Sequence, residues 1–244
     1  MCLLAIFFRA VDDAPLIVGA NREEIYSRPS LPPHILDGPS RSVAGTDKEA
    51  GGTWLGVNER GVLVAVTNRM KTRTVPQPRS RGLLVREMLE CLTAEEAIDL
   101  ATKELDLHRY AGCNIVCADS KRLMIFQAGD WLRIKPMPPG LHVLTNDDIN
   151  DASEPRLAYA QSFLTERPYE TSFDCVTALR QLCRHTGTDG SPAICIHGKN
   201  KGTVSSSLIV LRHDLYRSTY LHAFGPPDQT DYEDYSPLLQ EIAG

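Results

Sequence analysis

The order of apolar segments along the chain is the feature that most restricts its fold. Four short apolar runs precede the first helical pattern, at residues 3–8, 16–20, 53–57 and 62–67. Residues 58–61, with the sequence Asn-Glu-Arg-Gly, supply turn chemistry between the last two runs. Short apolar runs bounded by turns are typical of buried strands. The first third of the chain therefore predicts an antiparallel sheet.

Helical and strand-like patterns then follow in blocks. Helices are predicted from Ser80 and from the capping box of Thr93 and Glu96. The later blocks are strands at residues 114–118, 123–127, 132–134 and 141–144, helices at 155–164 and 173–183, and a strand at 205–211. Because regular βαβ alternation is absent, we predict an α+β fold of stacked, mainly antiparallel sheets and helices.

We interpret residues 1–244 as a single domain, since the sequence shows no internal repeat or clear boundary. The Pro- and Ser-rich segment 27–42 has little periodicity and predicts an ordered surface loop. Residues 225–244 are rich in proline and acidic residues and predict a surface tail.

Charge and hydropathy narrow the choice of partners. The net charge of −5 does not favour nucleic acid, and no stretch approaches the roughly 20 apolar residues of a membrane span. Between Glu59 and Glu87 the chain has seven basic and no acidic residues. This segment is interpreted either as a solvated loop and helix start or as a basic mouth that attracts an anionic small molecule.

The cysteines indicate a reducing compartment. There are seven, an odd number, and they are scattered without the paired spacing of a zinc site or a disulfide framework. The start of the chain also lacks the basic region and cleavage site of a signal peptide. We therefore expect a cytoplasmic protein with reduced thiols and no bound metal or cofactor.

Cys2 directly follows the initiator Met1 at the head of an apolar strand. Aminopeptidases remove Met1 before small residues, which would give Cys2 a free α-amine with a pKa of roughly 7.7–8.0. That amine could accept the proton of the thiol, so one residue would act as nucleophile and base. The alternative interpretation is a buried structural cysteine, which is common near an N-terminus.

Polar motifs recur at the ends of several predicted strands. They occupy residues 21–24, 51–58, 67–69 and 145–146. Two of these strands end in Thr-Asn, which places Asn68 and Asn146 at their edges. An asparagine amide can donate to the oxyanion of acyl transfer, a contribution of roughly 3–4 kcal/mol. Taken singly, a strand-ending asparagine is also a common turn residue.

In this order the motifs resemble the NRDE family, which includes the transport and Golgi organisation protein 2 homologues and is named for an Asn-Arg-Asp-Glu motif. The resemblance spans most of the chain. The family is similar in turn to N-terminal nucleophile (Ntn) hydrolases of the bile-salt hydrolase and penicillin acylase type. That similarity implies a four-layer αββα fold, two stacked sheets flanked by helices, with a catalytic cysteine at the mature N-terminus.

The resemblance also implies roles for individual residues. Cys2 matches the nucleophile and Glu23 the acidic residue that orients its amine, whereas Asn68 and Asn146 match residues that help form the oxyanion hole. The other motif residues predicted to bind substrate are Asn21, Arg22, Trp54 and Arg69.

Three positions depart from the family and hydrolase patterns. Glu23 stands where the family name has aspartate, Ala20 where the hydrolases have arginine, and Val204 where their late strand carries a second arginine. Two cations of the hydrolase site are thus absent. Arg22 could supply a replacement guanidinium, yet a family-like fold does not by itself establish hydrolase activity.

Three hypotheses follow for the function. The first is an amidohydrolase in which Cys2 attacks the carbonyl carbon of a small-molecule amide and forms an acyl-enzyme. The second is a binding or trafficking protein of the same fold, related to haem or lipid, for which the seven histidines offer iron ligands without any motif. The third is an interaction role for the acid-rich segment after Gly225.

Overall fold

The computed structural model describes residues 2–187 and 190–243, and its strands form two antiparallel sheets. The first sheet runs, in spatial order, β10 (Gly140–Leu144), β1 (Leu3–Val11), β2 (Ala14–Ile25), β11 (Lys201–Leu211), β12 (Thr219–Ala223) and β13 (Glu233–Asp234). The second runs β3 (Ser30–Leu36), β4 (Ser42–Asp47), β5 (Leu55–Asn58), β6 (Leu63–Asn68), β7 (Cys113–Ala118), β8 (Leu123–Ala128) and β9 (Leu132–Pro136).

Helices cover the outer face of each sheet. On the second sheet lie α1 (Arg81–Leu89) and α2 (Ala94–Asp106), and on the first lie α3 (Pro155–Thr165) and α4 (Ser172–Arg184). As predicted, the Thr93 side chain caps α2 by accepting from the backbone N–H of Glu96. The described helices are too short or too polar to cross a lipid bilayer.

Strand β1 shows why the apolar runs are continuous rather than alternating. Leu4 and Ile6 belong to the core between the two sheets, whereas Ala5 and Phe7 belong to the core under α3 and α4. Side chains alternate across a strand, so a strand buried on both faces must be apolar throughout. The layers therefore stack as helices, sheet, sheet and helices, which confirms the predicted αββα fold.

The predicted loop over residues 27–42 is wrong. Strand β3 occupies Ser30–Leu36, and β4 begins at Ser42. Pro32 and Pro33 concealed β3 because proline donates no ladder hydrogen bond. The strand tolerates them since it lies at the edge of its sheet and its register shifts between Leu31 and His34.

The predicted surface tail over residues 225–244 also needs correction. This segment contributes β13 and a fifth helix, α5 (Ser236–Ile242). Leu239 and Ile242, one helical turn apart, are buried in the core between the sheets. Pro237 occupies the first turn of α5, where its missing N–H costs little. The segment from β13 to α5 is therefore part of the packed fold.

Strand β2 is longer than predicted and carries the second polar motif within it. The sequence predicts a strand over residues 16–20, but β2 continues to Ile25. Leu3 of β1 pairs with Asn21, and Thr203 of β11 pairs with Glu23. The polar end of β2 is therefore held between two strands, directly beside the start of β1.

Candidate functional site

Two cavities share part of their walls at the start of β1. The larger has a volume of about 430 Å³, within the range of small-molecule sites. The smaller has about 20 Å³, room for about one water molecule. The residues that line both are Cys2, Arg22, Trp54 and Val66. The polar motifs at the start of β1, within β2 and at the end of β6 thus converge on one place.

Cys2 is half-buried and precedes the first residue of β1. Burial, together with the negative charge of Glu23, raises the pKa of its thiol, although a backbone hydrogen bond from Glu23 acts in the opposite direction. The thiol is consequently protonated near neutral pH and needs a base before it can attack a carbonyl. Met1, whose removal would free an α-amine for this purpose, lies outside the described residues.

Glu23 lies in β2, lines the larger cavity and is buried. Burial raises the pKa of its carboxyl, and the adjacent guanidinium of Arg156 opposes this rise. The Nη2 of Arg156 donates to Oε1 of Glu23 over 3.2 Å. The predicted acidic residue is thus beside Cys2, paired with a buried cation that the sequence motifs did not identify.

Arg156 is held rigidly at the first turn of α3. Its Nε donates to the carbonyl of Ala193 over 3.0 Å, and its Nη2 also donates to that of Ile194 over 3.3 Å. Glu154 caps the same helix and accepts from the Thr145 hydroxyl over 3.5 Å. A basic residue in the first turn is unfavourable for the helix dipole, and this was the sequence signal that could have indicated a role.

Arg22 and Trp54 form one wall common to both cavities. The guanidinium carbon of Arg22 lies 4.2 Å from the centroid of the Trp54 ring, in a cation–π contact. One Arg22 nitrogen donates to the Ser30 hydroxyl over 3.3 Å, and another lies 3.9 Å from Glu24. Burial lowers the pKa of Arg22. Both of these predicted residues therefore line the cavities.

Asn68 and Asn146 lie near each other through the threonines that precede them. The hydroxyl of Thr67 donates to the carbonyl of Thr145 over 2.7 Å and joins the end of β6 to the segment after β10. Asn68 is exposed and lines the larger cavity. Asn146 borders neither cavity, but its buried amide oxygen has no hydrogen-bond partner among the described residues.

Two of the predicted binding residues direct their side chains elsewhere. Arg69 pairs with Asp148 and donates to Asn114 over 3.2 Å, and it lines neither cavity. Asn21 borders the smaller cavity, but its amide donates to the carbonyls of Cys183 and Ile194 over 2.9 and 3.2 Å. The contacts of both side chains are structural: they brace the segments around the cavities.

The basic segment predicted from the sequence contributes two of its arginines to the larger cavity. Arg79 is neutralised by Glu87 and Glu104. Arg81 donates to the carbonyl of Gly112 over 3.0 Å and has no carboxylate partner among the residues described. Arg22 lines the same cavity but lies beside Glu24, so the guanidinium of Arg81 is better suited to an anionic group.

Close packing of two glycines fixes this cavity wall. A Cβ on Gly52 would collide with the backbone of Gly82 at the start of α1. The backbone N–H of Thr53 donates to the Gly82 carbonyl over 3.0 Å. Only glycine permits this approach, so the loop before β5 and the start of α1 are held together.

Sequence reasoning also missed a serine–histidine contact beside the smaller cavity. Ser207 of β11 lines this cavity, and its hydroxyl lies 2.9 Å from Nδ1 of His222. Burial lowers the pKa of His222 to about 4, and the positive charge of Arg22 adds to the effect. His222 is thus neutral at physiological pH. No histidine lines either cavity within the described chain.

Comparison with known proteins places this geometry in context. The family model described as Transport and Golgi organisation 2 matches residues 1–215. The "Transport and Golgi organization 2 homolog" of Mus musculus is 37% identical over 161 residues, which cover 60% of this chain and 57% of the mouse protein. The Homo sapiens homologue is 37% identical over 130 residues, covering 49% of this chain and 45% of that protein. The chain thus matches only about half the length of these relatives.

Solved structures with the same fold are more distant in sequence. A penicillin V acylase from Agrobacterium tumefaciens has a TM-score of 0.58 at 12% identity, covering 100% of this chain and 89% of that one. An N-acylethanolamine-hydrolyzing acid amidase orthologue from Caenorhabditis elegans has a TM-score of 0.58 at 16% identity, covering 86% of this chain and 92% of that one. A conjugated bile acid hydrolase variant from Clostridium perfringens has a TM-score of 0.54 at 13% identity, covering 100% of this chain and 94% of that one. At such identities the similarity establishes the hydrolase-like fold alone.

Proposed function

The chain belongs to the Transport and Golgi organisation 2 family, and on that premise we propose that it hydrolyses the carbon–nitrogen bond of a small-molecule amide, with Cys2 as nucleophile. The observation that carries this proposal is the place of Cys2, which lines a 430 Å³ cavity together with Arg22, Glu23 and Asn68. The names of the structural neighbours, an acylase, an amidase and a hydrolase, support the same reaction class.

The proposed first step is acylation of Cys2. After removal of Met1, the α-amine accepts the thiol proton while Sγ attacks the carbonyl carbon of the amide. Glu23, held by Arg156, orients this amine through its carboxylate. Asn68, which lines the larger cavity, donates to the oxyanion of the tetrahedral intermediate. The carbon–nitrogen bond then breaks, and the leaving amine takes the proton from the α-ammonium group.

The second step releases the acid and restores the enzyme. A water molecule attacks the thioester carbonyl, and its proton passes to the α-amine. When the carbon–sulfur bond breaks, the proton returns to the thiolate of Cys2 and the carboxylic acid leaves. The net reaction is amide plus water to carboxylic acid plus amine, without a redox cofactor.

The cations of the larger cavity favour substrates that carry an anionic group. Three carboxylates also line this cavity, but each lies beside an arginine, whereas Arg81 has no carboxylate partner among the residues described. An N-acyl amino acid or a similar conjugate with a terminal acid group fits this distribution of charge. The proposed location remains the cytoplasm, consistent with seven free cysteines.

A mechanism-based label tests the proposal. The purified native protein is treated with a thiol-reactive lactone or activated amide, and the adduct is mapped by mass spectrometry. We expect one adduct per chain, confined to Cys2 and absent from Cys2→Ala. The matched control is Cys91→Ser, because Cys91 is also half-buried but lies just after α1, outside both cavities.

The outcomes of this experiment separate catalysis from binding. Labelling that persists in Cys2→Ala would contradict the proposal. An unlabelled native protein would also contradict it and would favour the non-catalytic binding role. Turnover of an N-acyl amino acid with release of the free amine, lost in Cys2→Ala and retained in Cys91→Ser, would extend the result to substrate.

A further inference from the structure

A second cluster of reactive side chains lies outside the two cavities. Cys195, His197 and Asp228 bring a thiol, an imidazole and a carboxylate together, each through one donor atom within 4.8 Å of the others. Sγ of Cys195 lies 3.0 Å from Oδ1 of Asp228, and Nε2 of His197 lies 2.9 Å from Oδ2. Sγ and Nε2 are 3.9 Å apart. It is the one cluster of this kind among residues 2–187 and 190–243.

The backbone around the cluster is fixed by hydrogen bonds. The N–H of Cys195 donates to the carbonyl of His185 over 2.7 Å, and His197 forms a bridge with Gly202 at the start of β11. Asp228 sits in a turn closed by two N–H groups that donate to the carbonyl of Pro226 over 3.0 and 2.9 Å. The three side chains are thus presented by anchored segments rather than by a free loop.

Their arrangement fits a metal of borderline softness. Tetrahedral zinc, with bonds of about 2.0–2.3 Å, spaces its ligand atoms about 3.3–3.6 Å apart, so small movements of Asp228 and of the exposed His197 side chain would suffice. Thiolate and imidazole together favour Zn²⁺ over Mg²⁺ or Ca²⁺. Cys195 is buried, whereas the His197 side chain is 39% exposed. We infer that Cys195, His197 and Asp228 bind one Zn²⁺ ion and leave its fourth position to water.

Binding would exchange protons for metal. In the metal-free protein, burial raises the pKa of Cys195 to about 12, and its thiol donates to Asp228. Coordination replaces this hydrogen bond by a zinc–sulfur bond and releases the thiol proton to solvent. Nε2 of His197 binds as the neutral imidazole. No electron transfer or further reactant is involved.

Direct titration of the metal tests this inference. The full-length protein, stripped with a chelator, is titrated with Zn²⁺ in competition with a chromophoric chelator. We expect one equivalent to bind, and Cys195→Ser and His197→Ala each to weaken binding at least about 100-fold, since loss of an outer partner alone costs about 10–100-fold. The controls Cys91→Ser and His213→Ala change a half-buried cysteine and an exposed histidine elsewhere and should bind like the unaltered protein.

Cobalt supplies a signature that a purely structural role would not produce. With Co²⁺ in place of zinc, we expect a thiolate-to-metal charge-transfer band in the near ultraviolet that is absent from Cys195→Ser and present in Cys91→Ser. Because His197 is partly exposed, His197→Ala should keep the native circular dichroism spectrum. Zinc affinity equal in His197→Ala and the unaltered protein, or a missing cobalt band in the unaltered protein, would overturn the inference.

Discussion

Two arginine–carboxylate pairs flank the candidate site, and they differ in what surrounds them. In the pair of Arg156 with Glu23, the side chains are 9% and 3% exposed. In the pair of Arg69 with Asp148, they are 14% and 33% exposed. The first pair contributes its carboxylate to the larger cavity, whereas the second lines neither cavity and holds the segment after β10 against β7.

The difference shows that proximity to a motif is a poor guide to a side chain's contacts. Arg69 follows Asn68 in sequence, so it was predicted to bind substrate, but its guanidinium is occupied by Asp148 and Asn114. Arg156 is 133 positions from Glu23, yet it is the buried cation that pairs with this carboxylate. Burial, which sequence motifs do not record, distinguishes Arg156, which positions Glu23, from Arg69, which holds neighbouring segments together.

Loss of the buried guanidinium should have the largest effect on stability. Arg156→Gln removes the guanidinium that pairs with the buried Glu23, and we expect a loss of about 3–5 kcal/mol in the free energy of unfolding, measured with urea at neutral pH. Glu23→Gln combined with Arg156→Gln should recover part of this loss because no buried charge remains. A single-variant loss below about 1 kcal/mol would show that the pair is not effectively buried.

Asn68, the exposed neighbour of Arg69, should affect the rate of acylation rather than the stability of the fold. Asn68→Ala removes an oxyanion donor, so we expect acylation of Cys2 by the lactone probe to slow about 100–1000-fold. The unfolding free energy should change by less than about 0.5 kcal/mol, since Asn68 is exposed. Asn68→Asp, which keeps the shape but removes the amide donor, should be slowed at least as much; an unchanged rate in either variant would remove Asn68 from the mechanism.

Loss of the Arg69–Asp148 pair should have a smaller effect. Arg69→Gln breaks a pair whose carboxylate is one-third exposed, and we expect it to cost about 1 kcal/mol or less in unfolding free energy. KM for an anionic amide substrate should stay unchanged, because Arg69 lines neither cavity. A KM raised several-fold at unchanged stability would instead restore Arg69 as a binding residue.

The contributions of Glu23 and Asp148 to stability should depend on pH in opposite directions. This is the smallest of the expected effects. Burial raises the pKa of Glu23 above its ordinary 4.5, so its contribution to stability is present below that pH and is lost as pH rises through the folded pKa. For Asp148, burial acts upward, but the hydrogen bond and charge of Arg69 prevail and lower the pKa below 3.8. Its contribution is present above that pH and is lost as pH falls.

Unfolding curves measured across pH check these signs. Glu23→Gln should flatten the dependence above about pH 4.5, and Asp148→Asn should flatten it on the acid side. Similar changes in both variants on the same side of the curve would contradict the difference between the two pairs.

Local sequence patterns predicted most of the fold. The continuous apolar run of β1 and the Thr93–Glu96 cap of α2 were predicted because each depends on neighbouring residues. Strand β3 was not, since Pro32 and Pro33 resemble a loop until the strand is known to lie at a sheet edge. Helix α5 was missed because its short apolar turn lies in a Pro- and acid-rich segment.

The residues of the site likewise divide into those that the sequence predicts and those that depend on packing. Cys2, Glu23 and Asn68 follow from motif order, and the structure brings all three to one cavity. Arg156 depends on packing between α3 and β2. The cluster of Cys195 with Asp228 joins positions 33 residues apart, without the paired spacing by which zinc sites are found in sequences.

The central claim is that Cys2 works through its own α-amine, and the mass of the N-terminal peptide of the native protein tests it most directly. The protein is purified without an N-terminal tag, digested and analysed by mass spectrometry. The account predicts a peptide that begins at Cys2 with a free amine. A native protein that retains Met1 would have an amide in place of that amine, and this result would contradict the account.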